Sequence, residues 1–318
     1  MFEKLKKNLI IAFLLTAVIF FIFSAFTDFH SVINSFKKFN WFLLPLLLLL
    51  SFGNYFVRYL KWNYYLGLLK IKIPVLQSFK IFIAGFAMSA SPAKMGEVLK
   101  SVLLKEMYNE PISKTAPVIF AERLTDFLSL ILLVIIGTLY FKYSIIWIYF
   151  ILIFFIIIIL IISNRKVAGY LIKSLSGFST LKPHAARIEN LYKSAYILLQ
   201  IKPVMYMLFV SVAAWFFECF SFYLILINFN QDVSILWPTF VYALSTIAGA
   251  VSMLPAGLGI TEGSLSLILI NGGIPNQIAV ASTFIVRVVT LWFAIILGVA
   301  VLFILRKGLK KSLNQMTE

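Results

Sequence analysis

The sequence is poor in the residues from which redox and metal chemistry are built. Its 318 residues include one cysteine, Cys219, and two histidines, His30 and His184. One thiol cannot make a disulfide framework, and a Cys/His metal cluster has too few ligands. No GxxxxGK[ST] stretch occurs, which excludes ATP hydrolysis through that phosphate-cradling loop. No cofactor or metal is expected. Acids are scarce too: 12 Asp and Glu stand against 28 Lys and Arg, a formal charge of +16. Long polar stretches are also missing. The longest runs roughly from Ser163 to Lys202, and nothing resembles a separate water-soluble domain.

What is present is apolar surface. Hydrophobic residues make up 62% of the chain and aromatics 16%, more than a soluble core can use. The composition points to an all-α polytopic membrane protein, read as one domain over 1–318. Six segments, at about 9–26, 41–60, 117–140, 144–162, 203–228 and 278–304, suffice to cross a hydrocarbon core that needs about 20 residues. The first is long and lacks an A-x-A-like cleavage site, so it reads as a signal anchor. Two further apolar regions, about 75–106 and 237–272, are broken near their middles by Pro and Gly. Each admits two crossings or one re-entrant hairpin. Halves of about 13–17 residues are short for full spans, which favours hairpins.

Basic residues assign the sides. Lys4, Lys6 and Lys7 precede the first span, and Arg58, Lys61, Lys70 and Lys72 follow the second. Seven more lie in the 163–202 loop, and Arg306, Lys307, Lys310 and Lys311 follow the last span. All four clusters share one face if both termini are cytoplasmic; Lys37 and Lys38 dissent. The positive charge is thus assigned to orientation in the cell membrane and to anionic lipid heads, not to nucleic acid.

The two interruptions match each other. One reads IAGFAMSASPAKMGEVLKSVLL and the other IAGAVSMLPAGLGITEGSLSLIL. Ile-Ala-Gly opens both; Pro92 and Pro255 follow; then come Gly96–Glu97 in one, and Gly259 with Glu262 in the other. Pro111 precedes Arg123 by 12 residues, as Pro275 precedes Arg287. This ordered set is an internal repeat, with cores 83–137 and 247–298. Three spans, an odd number, separate the hairpins, so the copies are expected to be inverted. In transporters of that plan the substrate sits between the repeats. Irregular backbone at membrane depth is tolerated only where protein or water covers it, and a helix restarting after a break offers N–H groups to an anion.

Ionisable groups within spans cost ~2.5–3.5 kcal/mol each on insertion scales, and so mark pairing or function. Arg287 and Glu218 lie deep in their spans. Glu122 and Asp126, flanking Arg123, share a helix face at i, i+4. Glu97 is expected to pair with Arg123 and Glu262 with Arg287, either to pin the hairpins or to hold substrate. Lys94, Glu97, Ser101 and Lys105 form a polar stripe, which Glu262 and Ser266 repeat more weakly. Glu218 reads as a protonated or paired core acid, and Trp41 and Trp237 as interface anchors.

SPAKMGEVLK, then ERLTD at Glu122–Asp126, then LPAGLGITEGSL and a later Arg in a span resemble the lysylphosphatidylglycerol synthase transmembrane, or flippase-like, family. The resemblance covers nearly the whole chain. It implies a polytopic domain that moves phospholipid or isoprenoid-linked lipid between leaflets. It points to Pro92, Gly96, Glu97, Glu122, Arg123 and Asp126, and to Pro255, Gly257, Gly259, Glu262, Gly263 and Arg287. Lys94 stands where many members have arginine, which weakens a bidentate phosphate contact. With nothing after Glu318, the chain is not expected to make lysyl-phosphatidylglycerol itself.

The leading expectation is therefore a lipid translocator, not an enzyme, in which Arg123, Arg287 and Lys94 neutralise a lipid phosphate, while Glu97 and Glu262 either hold the arginines until substrate displaces them or carry a proton for coupling. Its rivals are a noncatalytic partner of a lipid-synthesis enzyme, and a hydrolase or transferase using Glu97, Glu122 and Asp126. No Ser/His or metal arrangement in the sequence supports the last.

Overall fold

The computed structural model describes Val18 and residues 29–91, 96–141, 146–163 and 185–315. The expected first span, Pro92, Lys94 and most of the 163–202 loop lie outside the described residues. Among those described, every regular element is helical. A short helix α1 (Phe29–Lys38) leads into a 3₁₀ turn, Trp41–Leu43, and α2 (Leu44–Leu68). Then come α3 (Val75–Gly85), α4 (Leu99–Tyr108), α5 (Ile112–Phe141) and α6 (Ile146–Ser163). After α7 (Ala185–Leu198) follow α8 (Ile201–Asn228), α9 (Leu236–Val251), α10 (Ile260–Asn271), α11 (Asn276–Arg287) and α12 (Phe293–Gln315).

Among the described residues, four helices are long and apolar enough to cross a membrane: Trp41–Leu68, Ile112–Phe141, Ile201–Asn228 and Asn276–Leu305. They coincide with four of the six expected spans, and α6 coincides with a fifth. The second span runs further than its apolar pattern indicated. It ends at Leu68 because Lys70 adopts a left-handed conformation (φ 56°) and Ile71 N–H closes onto Leu66 C=O at 3.0 Å. Arg58 and Lys61, counted above among the residues beyond that span, therefore lie inside it and are buried. That reading of the orientation cluster is corrected. An apolar window breaks at a charge, whereas the backbone runs on until a residue closes the last turn.

The chain uses the same element order twice. Trp41–Leu68 and Ile201–Asn228 both have 28 residues, and Ile112–Phe141 and Asn276–Leu305 both have 30. Asn230 (φ 55°) ends α8 as Lys70 ends α2, with Gln231 N–H on Leu226 C=O at 3.1 Å. Between each pair of long helices lies a helix–break–helix unit. Its first arms, Val75–Met88 and Leu236–Val251, are 14 and 16 residues, or about 21–24 Å at 1.5 Å per residue. Both fall short of a hydrocarbon core of about 30 Å.

The repeated Ile-Ala-Gly has a packing reason. A Cβ on Gly85 would lie 2.6 Å from Cγ of Lys100, whose stem crosses there from the second arm. In the other unit a Cβ on Gly249 would collide with Thr261 Oγ1. In both copies the glycine is where the returning arm passes.

The halves pack by exchange. α2 lies along α8, α9 packs on α5, and α3 with its 3₁₀ turn Phe86–Met88 packs on α12. Each broken unit thus covers the last long helix of the other half. Two large apolar cores result among the described residues, with a small third cluster of Ala90, Ala256, Leu258 and Ile295. One is centred on Trp62, Phe82 and Leu104, the other on Leu47, Phe222 and Leu265. Against these cores lies a layer of buried charged side chains, Lys100 directly over Trp62 and Phe82.

Candidate functional site

In the first half that layer is a connected network. Glu97, 1% exposed, accepts from Arg123 Nη2 at 2.7 Å. Lys100 reaches Glu122 Oε2 at 2.5 Å and lies 3.7 Å from Glu97 Oε2, its ammonium over the rings of Trp62 and Phe82. Asp126 meets three cations: Lys61 Nζ at 2.5 Å, with Arg58 Nη2 and Arg123 Nη1 both at 3.4 Å. The i, i+4 spacing of Glu122 and Asp126 aims both carboxylates off α5 toward α2 and α4. Each buried ion here has a counter-ion. Removing one partner of such a pair costs about 3–5 kcal/mol, because the other charge stays behind unpaired.

The second half holds a simpler version. Its break, which opens at a left-handed Met253 (φ 55°), contains a 3₁₀ turn, Pro255–Gly257, in which Ala256 (φ 54°) and Gly257 (φ 66°) are also left-handed. Gly259 follows at φ 85°, and its N–H donates to Glu262 Oε2 at 2.7 Å. Gly263 N–H then makes the first helical bond, to Gly259 C=O at 2.8 Å. Glu262 Oε1 accepts from Arg287 Nε at 2.6 Å, while Arg287 Nη2 caps Ala256 C=O at 2.9 Å. One carboxylate and one guanidinium therefore fasten the break to the span that follows. A π-helical turn, Val288–Trp292, comes directly after Arg287, and Tyr55 of the first half donates to Thr290 C=O at 2.5 Å. Such turns loosen the backbone ladder, and here the other half takes up a loosened carbonyl.

Both pairs expected from the sequence, Glu97 with Arg123 and Glu262 with Arg287, are thus present. They also converge. Arg123 and Arg287 line one cavity of about 470 Å³, together with Asp126. No other charged side chain among the described residues lines it, and most of its wall is apolar, including Phe120, Phe127, Leu130 and Met253. A smaller chamber of about 60 Å³ adjoins it. Trp215, Thr246 and Arg287 line both spaces, and Arg58, Glu97 and Glu218 line the smaller one. Glu218 is paired as a core acid, accepting from Tyr242 Oη at 2.7 Å.

The polar stripe of the first unit holds only in part. Glu97 and Ser101 are buried, whereas Lys105 is exposed. Arg58, Lys61, Trp215 and Tyr242 escaped the sequence reading as site residues. Their signal was Arg58 and Lys61 at i, i+3 within an otherwise apolar helix, facing the acidic pair on α5. Among the described residues no group of His, Cys, Asp and Glu is arranged to hold a metal ion.

An apolar chamber with a paired guanidinium from each half suits a ligand that is anionic at one end and hydrocarbon at the other. Comparison with known proteins agrees with the membrane character of the chain. Residues 9–298 match the family described as the lysylphosphatidylglycerol synthase TM region. The chain belongs to that family. A UPF0104 membrane protein of Methanocaldococcus jannaschii is 28% identical over 236 residues, 71% of this chain and 97% of that protein. One of Methanothermobacter thermautotrophicus is 25% identical over 269 residues, 76% of this chain and 79% of that protein. The family match spans both broken units, with all of Glu97, Arg123, Glu262 and Arg287.

Proposed function

We propose that this member of the family is a lipid translocator, moving an anionic phospholipid or isoprenoid-linked lipid between leaflets of the cell membrane. In this reading the two broken units are re-entrant hairpins of an inverted repeat, and both termini are cytoplasmic. The observation that carries it is the convergence of Arg123 and Arg287, one from each half, on one largely apolar cavity. A phosphate bound between them replaces Glu97 and Glu262 as their partner, while the acyl or prenyl chain lies against the phenylalanines. Arginine suits the task because it stays charged and can grip two phosphate oxygens at once.

The ion pairs then have a second use. With no lipid bound, Glu97 and Glu262 keep the guanidinium charges neutralised in a site that water reaches poorly. The lipid trades one anion for another. No covalent step is required, and the chain acts on where the lipid lies, not on what it is.

Reconstitution tests the reading. Purified protein in phosphatidylcholine vesicles should speed the movement of tail-labelled phosphatidylglycerol between leaflets, as read by dithionite quenching. Equal rates in protein-free vesicles would refute it.

A further inference from the structure

Lys61 is 1% exposed, and its Nζ lies within hydrogen-bonding distance of Asp126 Oδ1 at 2.5 Å, Ser211 Oγ at 2.7 Å and Glu122 C=O at 3.0 Å, one acceptor for each donor of its protonated form. These partners come from α5 of the first half and α8 of the second, so one amine nitrogen ties α2 to both. The fold does not demand it. Aligning α8 on α2 by their matching left-handed ends puts Ser221 at the place of Lys61. Aligning on the arginines puts Thr290 at the place of Asp126. Both are buried and uncharged, and the second half builds the same helices around them.

Of the cations in this network, only the lysines can give up a proton, because arginine stays charged. Lys100 is held by two carboxylates and two aromatic faces, all of which favour the cation. Lys61 has one carboxylate, Asp126, which Arg58 and Arg123 already neutralise. The other ionisable groups around it are Arg58 and Tyr65 on α2, Glu122 and Arg123 on α5, Lys100 on α4, and Glu97 and Glu218, which act through Arg58. Lys61 is therefore the cation whose neutral form leaves the fewest charges unbalanced.

Asp126 and Arg123 both line the large cavity, and Arg123 bridges Asp126 and Glu97. A phosphate that engages Arg123 draws the guanidinium from Asp126 and adds negative charge beside it. Both effects strengthen the hold on the Lys61 proton. By linkage, a protonated Lys61 strengthens anion binding by the same factor.

We propose that Lys61 is a proton carrier coupled to the anionic headgroup, an inference that rests on the translocator reading. The amine takes one proton from water as the anion binds, and returns it to water as the anion leaves. The moved unit, one negative headgroup with one proton, is electrically neutral.

The test uses the full chain in phosphatidylcholine vesicles containing tail-labelled phosphatidylglycerol, with an imposed difference of one pH unit. One proton per lipid should enrich the labelled lipid up to about tenfold in the leaflet facing the alkaline side, since a tenfold proton ratio is about 1.4 kcal/mol. A potassium–valinomycin potential should not alter that ratio. Lys61→Arg, which keeps the charge but cannot release a proton, should move lipid yet leave it evenly distributed. Lys61→Met should also give no enrichment, and Asp126 in that variant remains neutralised by two arginines. Enrichment by either folded variant equal to wild type would overturn the role of Lys61. Even distribution by wild type across the pH difference would overturn proton coupling and leave the translocator reading standing. No lipid movement by wild type would overturn both.

Discussion

Arg123 and Arg287 occupy equivalent places in the two halves of the chain, each 12 residues after a proline, and line the same cavity. Each is held by the glutamate of its own broken unit, Glu97 at 2.7 Å and Glu262 at 2.6 Å. They differ in company. Arg287 has one carboxylate, whereas Arg123 shares Glu97 with Lys100 and Asp126 with Arg58 and Lys61. The first-half arginine is thus part of a network, and the second-half arginine is half of a pair.

The network makes Lys100 a stability residue. Lys100→Met strips Glu122 of its 2.5 Å partner in a site where both side chains are 2% exposed. The expected loss is about 3–5 kcal/mol. Adding Glu122→Gln should recover most of it, because no unpaired charge then remains. Denaturant unfolding in detergent measures both, and an unchanged midpoint for Lys100→Met alone would contradict the pairing.

The crossing at Gly249 can be tested through its contact. Gly249→Ala drives a methyl group into Thr261 Oγ1 and should cost about 1–3 kcal/mol by overpacking. Thr261→Ala in the same chain removes the obstructing hydroxyl and should restore part of the loss. Thermal unfolding of the single and double variants reads this out. If Thr261→Ala gives no relief, the collision lies elsewhere.

Orientation can be checked on α7. Glu189 and Lys193 form an exposed i, i+4 pair there, 2.6 Å apart. Lys193→Cys with Cys219→Ser should resist membrane-impermeant thiol reagents added outside intact cells and react after permeabilisation. Ready labelling from outside would place this segment on the other face and reverse the proposed orientation of both termini.

Much of this architecture was legible in the sequence, for physical reasons. Apolar runs of span length, the prolines and glycines of the breaks, and the repeated Pro-to-Arg spacing each report a local constraint that the chain must satisfy. The glutamate–arginine pairs were legible because buried opposite charges in neighbouring segments have few other partners. Lys61 and Arg58 were not. A basic residue near the end of an apolar run looks the same whether it faces water or a buried carboxylate. Only the left-handed residue at Lys70, further along the chain, shows that the helix had not ended. The cavity was hidden for a related reason, since its walls come from α5, α6, α8, α9, α11 and both sides of a break, and no local pattern encodes their meeting.

The most direct measurement of the central claim, that Arg287 holds a lipid phosphate, is lipid movement by the double variant Glu262→Gln, Arg287→Gln. Both charges of the pair are gone, and the amide that replaces the Glu262 carboxylate keeps an oxygen for the Gly259 N–H, so the protein should insert and fold as wild type does. Leaflet-resolved detection in vesicles should then show movement of phosphatidylglycerol reduced about tenfold to a hundredfold, the worth of one charge-assisted hydrogen-bonding group. Movement at the wild-type rate by the folded double variant would contradict the claim and leave Arg287 as the structural partner of Glu262 alone.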